Sequence, residues 1–330
     1  MVASGWGDTM SEQVSEPIVV NVENFTRAET NRMFFGIQSK SGGEVNVFNH
    51  ERTPTQIDAQ HIIRMNRDTL YSGAIVNISR GATLSVPDAG GRYVSVGIYN
   101  QDNYVNRVFH DPGTYELTMA EFDTPFVAIV TRWLVDANDP EDIAEVHALQ
   151  DLHTVSAVAQ EPFALPSYDP ESYQETYDAL IGLGRGLTDL AGMGGAKQDV
   201  NPVRHLIGTA MAWGALPREE VLYANVDPGL PLGEYRIRVK DVPVDAFWSV
   251  TVYNKDGYLE KNDRDAYNIN SINGVPDEDG AITVHFGGCD DGRPNCLPIT
   301  EGWNYGVRMY RPRDGLLDGT WTFPAVEPVP

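Results

Sequence analysis

The chain has 330 residues, 42% of them hydrophobic and 10% aromatic, a composition of folded proteins with room for one large core or two ordinary ones. Asp and Glu number 47 against 24 Lys and Arg, and the resulting net charge of −23 is spread along the chain. That field repels nucleic acid and anionic membranes, and no apolar run approaches the roughly 18 residues that span a bilayer, so neither is an expected partner.

The opening "MVASGWGDTMSEQVSEP" lacks both a basic leader and an apolar stretch. It reads as a flexible tail over residues 1–16, with a cytoplasmic location expected, or a periplasmic or secreted one if a leader was removed. Residues 17–137 follow as a β-rich region. One helix is predicted at "NFTRAETNRMFFGIQSK", where Phe25, Met33 and Phe34 fall near helical spacing. Strands are predicted at "TLSVPD" (83–88), "RYVSVGIY" (92–99) and "PFVAIVTRWLV" (125–135), which are β-branched or aromatic runs between turn residues.

Over residues 138–215 the period changes to that of helices. "NDPEDIAEVHALQDL" offers Asp139 as N-cap and Pro140 at the first helical position, with Ile143, Val146, Leu149 and Leu152 along one face. "DPESYQETYDALIGLGRGLTDL" begins the same way with Asp169 and Pro170, and "PVRHLIGTAMAW" is a third helix, so a helical connecting module is expected. From 216 to 330 strands return at "EYRIRVKDV", "AFWSVTVYN", "AITVHFGG" and "NYGVRMYRP", separated by turn clusters. The fold class is therefore mainly β with a helical module: a barrel- or sandwich-like N-terminal region and an antiparallel, jelly-roll-like C-terminal sandwich.

Standard catalytic motifs are missing. There is no nucleophile elbow, phosphate loop, H-E-x-x-H or EF-hand pattern, and the glycines of "GLGRG" and "GMGG" follow a helix instead of a strand. His147 and Asp151 stand one helical turn apart, a spacing that partly exposed helix residues also show. No local motif nominates a metal or a cofactor. Cys289 and Cys296 are too far apart for a C-x-x-C pair and leave open either a local disulfide or two free thiols.

What remains is a set of polar residues at strand ends. In "RMNRDTLY" an extended backbone would place Arg64, Asn66 and Asp68 on one face, and in "YNQDNYVNR" it would do the same for Asp102, Tyr104 and Asn106. A cation, an amide and a carboxylate on one face satisfy each other in a structural corner, or present a hydrogen-bonding array to a small polar ligand.

The segments "NFTRAETNRMFF", "NRDTLYSGAIVNIS", "GGRYVSVGIYNQDNYVN" and "EVHALQDL", followed by "DVPVDAFWSVTVYNKDGYLEKNDRDAYNINS", "DGAITVHFGG" and "NCLPITEGWNYGVRMYRPRDGLLDGTW", resemble a bacterial two-domain family. Its halves are domain of unknown function 1254 and, C-terminal to it, domain of unknown function 1214, and this chain is similar to the short form. The resemblance implies two β-rich domains joined through helices, and homo-oligomerisation. It implies no reaction.

Two functions are consistent with these residues. In an enzyme of the hydrolase or lyase type, acting on a small polar or glycan-like substrate, Asp68 is the candidate acid/base and Arg64 and Arg92 hold an oxyanion or carboxylate. Asn66, Tyr71, Asp102, Tyr104 and Asn106 then contact substrate. In a non-catalytic carbohydrate or small-ligand module, Trp248, Tyr253, Trp303 and Tyr305 are stacking platforms, with Asn262 and Asn270 as polar contacts. Core burial of those aromatics is the ordinary alternative, and would fit a purely structural or assembly role.

Overall fold

The computed structural model describes residues 16–60, 63–187 and 189–329. The N-terminal tail, apart from Glu16, lies outside the described residues.

The N-terminal strands are β1 (Asn49–His50), β2 (Thr69–Asn77), β3 (Ala82–Val86), β4 (Val94–Asn100), β5 (Val105–Phe109), β6 (Gly113–Leu117), β7 (Phe126–Leu134) and β8 (Thr154–Ala157). The C-terminal strands are β9 (Val221–Val226), β10 (Tyr235–Val239), β11 (Trp248–Tyr253), β12 (Asn268–Asn270), β13 (Ile282–Phe286), β14 (Cys296–Leu297), β15 (Asn304–Tyr310) and β16 (Glu327–Pro328). The helices are α1 (Phe25–Lys40), α2 (Met119–Phe122), α3 (Pro140–Leu152), α4 (Pro170–Leu183), α5 (Pro202–Ala212) and α6 (Asp314–Leu317).

Four sheets form. In the N-terminal half a five-stranded sheet, β1-β2-β7-β4-β5, lies over a three-stranded one, β6-β3-β8. Leu70, Val76, Val94, Val96, Ile98 and Trp133 of the first meet Leu84 and Leu117 of the second in one core. In the C-terminal half β14-β13-β10-β16 packs on β12-β11-β15-β9, with Ile237, Val284 and Phe286 against Val250, Tyr305 and Val307. That pair is a β-sandwich, antiparallel except where β13 runs parallel to β14. Among the described residues no sheet closes into a barrel, so the N-terminal half is of the sandwich kind.

The helix starts follow their caps. Asp139 accepts from the Glu141 amide at 2.9 Å, Asp169 from the Ser172 amide at 2.9 Å, and Asn201 from those of Val203 and Arg204, each with proline in the first turn. The three helices do not stack as a unit, however. Val146, Ile143 and Leu149 of α3 join the first N-terminal core, whereas Leu152, in the helix's last position, is 64% exposed. α4 and α5 instead pack with α1 around Phe25, Leu180 and Ile207. Among the described residues no helix is long and apolar enough to cross a membrane.

Candidate functional site

The facing sides of two sheets, one from each half, build the site. β11 and β15 are buried along their whole length, yet their chemistry still alternates. Trp248, Val250 and Val252, with Tyr305, Val307 and Met309, enter the C-terminal core. Ser249, Thr251 and Tyr253, with Gly306, Arg308 and Tyr310, therefore occupy the opposite face, since successive side chains in a strand point to opposite sides. The strand register aligns Asn270, Ser249, Arg308 and Tyr223 in one row across β12, β11, β15 and β9. In the N-terminal sheet Tyr71, Arg132 and Ser95 form a similar row across β2, β7 and β4. Tyr99, Val105, Ala128 and Leu134 from that side share one cluster with Val221, Phe247 and Tyr310 from the other, so the two faces meet in a seam between the halves.

Asp68 is the centre of its polar part, with no exposed surface at all. Its Oδ1 accepts the side-chain amides of Asn268 at 2.7 Å and Asn270 at 3.1 Å, both from the C-terminal half. Its Oδ2 is buried and has no protein partner. Asn66 holds the approach: its Oδ1 accepts the Asp68 amide at 2.8 Å, an Asx turn, while its Nδ2 donates to Thr69 Oγ1 at 3.1 Å and Tyr310 Oη at 3.2 Å. Tyr71 Oη lies 3.5 Å from the same Nδ2.

Two arginines share the seam. Arg308, 6% exposed, donates through Nη2 to the Arg64 carbonyl at 2.7 Å and to Tyr253 Oη at 2.9 Å, and through Nη1 to Thr251 Oγ1 at 3.1 Å. Tyr253 Oη in turn donates to the Met65 carbonyl at 3.0 Å. Arg132, 8% exposed, lies 5.6 Å over the Tyr71 ring and has Nη1 without a protein partner. Burial opposes the charge on both guanidiniums, and Asp68 beside Arg308 favours it there. Burial pushes the Tyr99, Tyr223 and Tyr310 phenols up, so these groups are neutral near pH 7 and bring no negative charge. Among the described residues the buried Asp, Glu, Lys and Arg side chains are Glu29, Asp68, Arg132 and Arg308, and three of those four belong to the seam.

Of the residues singled out from sequence, Asp68, Asn66, Tyr71, Arg64, Tyr253 and Asn270 come together here. Arg64, Asn66 and Asp68 do so by a different route from the shared strand face expected of them. Arg64 has φ of +57°, which turns the chain, and the strand begins only at Thr69. The Arg64 Nη1 and Arg67 Nε atoms are buried without protein partners, and desolvation lowers both groups from the usual arginine value.

The other candidates lie elsewhere. Arg92 is tied to Asp142 by hydrogen bonds of 2.6 and 3.0 Å and to Glu145 at 3.0 Å. Asp102, Tyr104 and Asn106 do not share a strand face, because Asn103 at φ +58° closes a turn and β5 starts at Val105. Asp102 pairs with Arg27 at 2.6 Å, Tyr104 stacks on His205 at 4.6 Å, and Asn106 donates to the Glu121 carbonyl at 2.6 Å. Trp248, Trp303 and Tyr305 are 5%, 1% and 2% exposed in the C-terminal core, where they present no stacking face. Asn262 closes a turn by accepting the Arg264 and Ala266 amides. Cys289 and Cys296 form a disulfide. Among the described residues no three His, Cys, Asp or Glu side chains gather as a metal site.

Sequence reasoning missed Arg132, Arg308, Asn268, Tyr223 and Tyr310. The available signal was a single arginine at the polar parity of an otherwise apolar strand, in "VAIVTRWLV" and "GVRMY".

Two clefts run along the outer edge of the seam. One of about 230 Å³ is lined by Arg92, Leu134, Asp142, Asn270, Ile272 and Asn273, and so reaches a residue that holds Asp68. Its neighbour, of about 280 Å³, includes Tyr93 and Phe247, whose rings lie 5.3 and 4.2 Å from that of Tyr310.

The model described as protein of unknown function DUF1254 matches residues 45–156, and the one described as protein of unknown function DUF1214 matches residues 231–314. Among solved structures, a protein from Vibrio parahaemolyticus aligns at 19% identity with a TM-score of 0.73, over 94% of this chain and 98% of that one. An uncharacterized protein from Burkholderia cenocepacia aligns at 14% identity with a TM-score of 0.51, over 93% of this chain and 86% of that one. At such identities the likeness is one of fold. None of the curated proteins matches the chain.

Proposed function

The chain belongs to the family that carries domains of unknown function 1254 and 1214 in that order, and from that premise we propose that the seam between its two halves is an acid–base site for a small polar substrate. The reaction class is hydrolysis or elimination, both of which turn on a placed proton acceptor or donor. The observation that carries this reading is Asp68, a fully buried carboxylate with Oδ1 fixed by two amides of the opposite half and Oδ2 left without a protein partner. Fixing one oxygen orients the other, and a group so oriented loses little freedom when it takes or gives a proton. A structural corner would engage both oxygens, because a buried carboxylate oxygen without a partner costs about 1–3 kcal/mol or more. Polar groups from both halves complete the site, so the family's two-domain arrangement becomes a requirement of the chemistry.

The test is turnover of a metabolite extract followed by mass spectrometry, comparing the native protein with Asp68→Asn and with Asp102→Asn, a surface carboxylate away from the seam. The native protein and Asp102→Asn should deplete the same small molecule and Asp68→Asn should not. Equal depletion by all three, or none by any, would overturn the proposal.

A further inference from the structure

The seam holds more buried positive charge than its one carboxylate balances. Arg132 and Arg308 are both buried, and the salt bridges found among the described residues lie elsewhere, as with Arg92 and Asp142 or Arg27 and Asp102. Asp68 is engaged by two neutral amides, and Arg64 and Arg67, which have Asp227 and Asp265 respectively in their surroundings, add two half-buried guanidiniums at the same edge. The Tyr99, Tyr223 and Tyr310 phenols among their neighbours, pushed up by burial, are neutral near pH 7. In a chain of net charge −23, with 47 acidic residues available, this local excess of cations is not a consequence of composition. Buried guanidiniums without counter-ions are costly, and a folded protein retains them where a bound anion will supply the missing charge.

We infer that the substrate of this site bears a carboxylate or phosphate group that settles against Arg132 and Arg308 while its reacting part faces Asp68 Oδ2. The inference rests on the reading of the seam as a ligand site and narrows it to anionic molecules. Arg132 Nη1, buried and without a protein partner, is the donor on which the anion would dock, and planar guanidinium forks suit either oxyanion. The neighbouring clefts, of about 230 and 280 Å³, admit a molecule of metabolite size. Arg132 and Arg308 are binding residues in this scheme, and the proton moves at Asp68.

The experiment is a melting-temperature titration of the full chain with sodium acetate, inorganic phosphate and glucose, against sodium chloride at matched ionic strength. It is run on the native protein and on Arg132→Met. The native protein should be stabilised saturably in the low-millimolar range by acetate or phosphate and by neither chloride nor glucose, and the more effective anion identifies the group. Arg132→Met should weaken that binding about tenfold or more. Saturable binding of glucose but not of either anion, abolished by Asp68→Asn, would overturn the anionic class while leaving the site reading in place. Absence of saturable stabilisation by either anion would likewise overturn the inference, whether or not Arg132→Met folds.

Discussion

Asn270 donates its side-chain amide to Asp68 Oδ1 at 3.1 Å, tying together two residues 202 positions apart and two halves of the chain with separate cores. Asn268 reaches the same oxygen at 2.7 Å. Asn268→Ala and Asn270→Ala should each destabilise by about 1–3 kcal/mol, since each leaves a buried carboxylate less satisfied. Because both amides share one acceptor, the double variant should depart from the sum of the singles, and a double-mutant cycle in urea measures that coupling. Strict additivity would mean that the two amides do not act on a common group.

Replacing Arg132 should raise stability in the absence of ligand. Its guanidinium is buried, has Nη1 without a protein partner and reaches the Gly214 carbonyl only at 3.4 Å. Arg132→Met keeps the stem and removes a desolvated charge, with an expected gain of about 1–3 kcal/mol measured by chemical denaturation. A comparable loss would mean that the charge is balanced within the protein.

Stability should fall with acid through His153. This side chain, 2% exposed, lies against Trp133 and Phe48, with Nε2 2.9 Å from Thr131 Oγ1 and Nδ1 3.0 Å from the Ser85 carbonyl. Burial lowers its pKa from 6.5 to about 4, against a smaller upward pull from the Ser85 carbonyl. Above pH 6.5 the ring is neutral in both folded and unfolded chains, and its contribution is complete. As pH falls from there toward 4 only the unfolded chain takes up the proton, so about 3 kcal/mol is lost. Urea titrations at pH 7 and pH 4.5 should show that loss in the native protein and a smaller one in His153→Asn.

The disulfide between Cys289 and Cys296 closes a short loop, with a sequence separation of 7. Constraint of the unfolded chain by so short a loop is worth about 2 kcal/mol, so reduction should lower the melting temperature by a few degrees without unfolding the protein. A Cys289→Ser, Cys296→Ser double variant should match the reduced protein and no longer respond to reductant. Global unfolding on reduction would show that the clip holds more than its own loop.

Much of the fold was legible because local chemistry and final structure agree. Asp139 with Pro140 and Asp169 with Pro170 mark helix starts through caps that need only their own neighbours. The strands at 94–100 and 304–310 announce themselves by β-branched and aromatic runs. Asp68 was found because its polar neighbours are adjacent in sequence. Its partners Asn268 and Arg308 were not, since they are brought to it by sheet register and by the docking of one half on the other, and Asn270 was singled out as a ligand contact without any sign that it faces Asp68. For the aromatic residues the core-burial alternative is the one realised: strand parity sends Trp248 inward, and Trp303, just before β15, is buried in the same core. The extended reading of residues 64–68 failed at one dihedral, the positive φ of Arg64, which alternation patterns do not register.

The central claim is that a small molecule binds in the seam at Asp68, and a crystal structure grown with the anion that most raises the melting temperature tests it most directly. The account predicts density within hydrogen-bond distance of Asp68 Oδ2 and of the Arg132 or Arg308 guanidinium. Density only on the outer surface, or an unoccupied seam under saturating conditions, would contradict it.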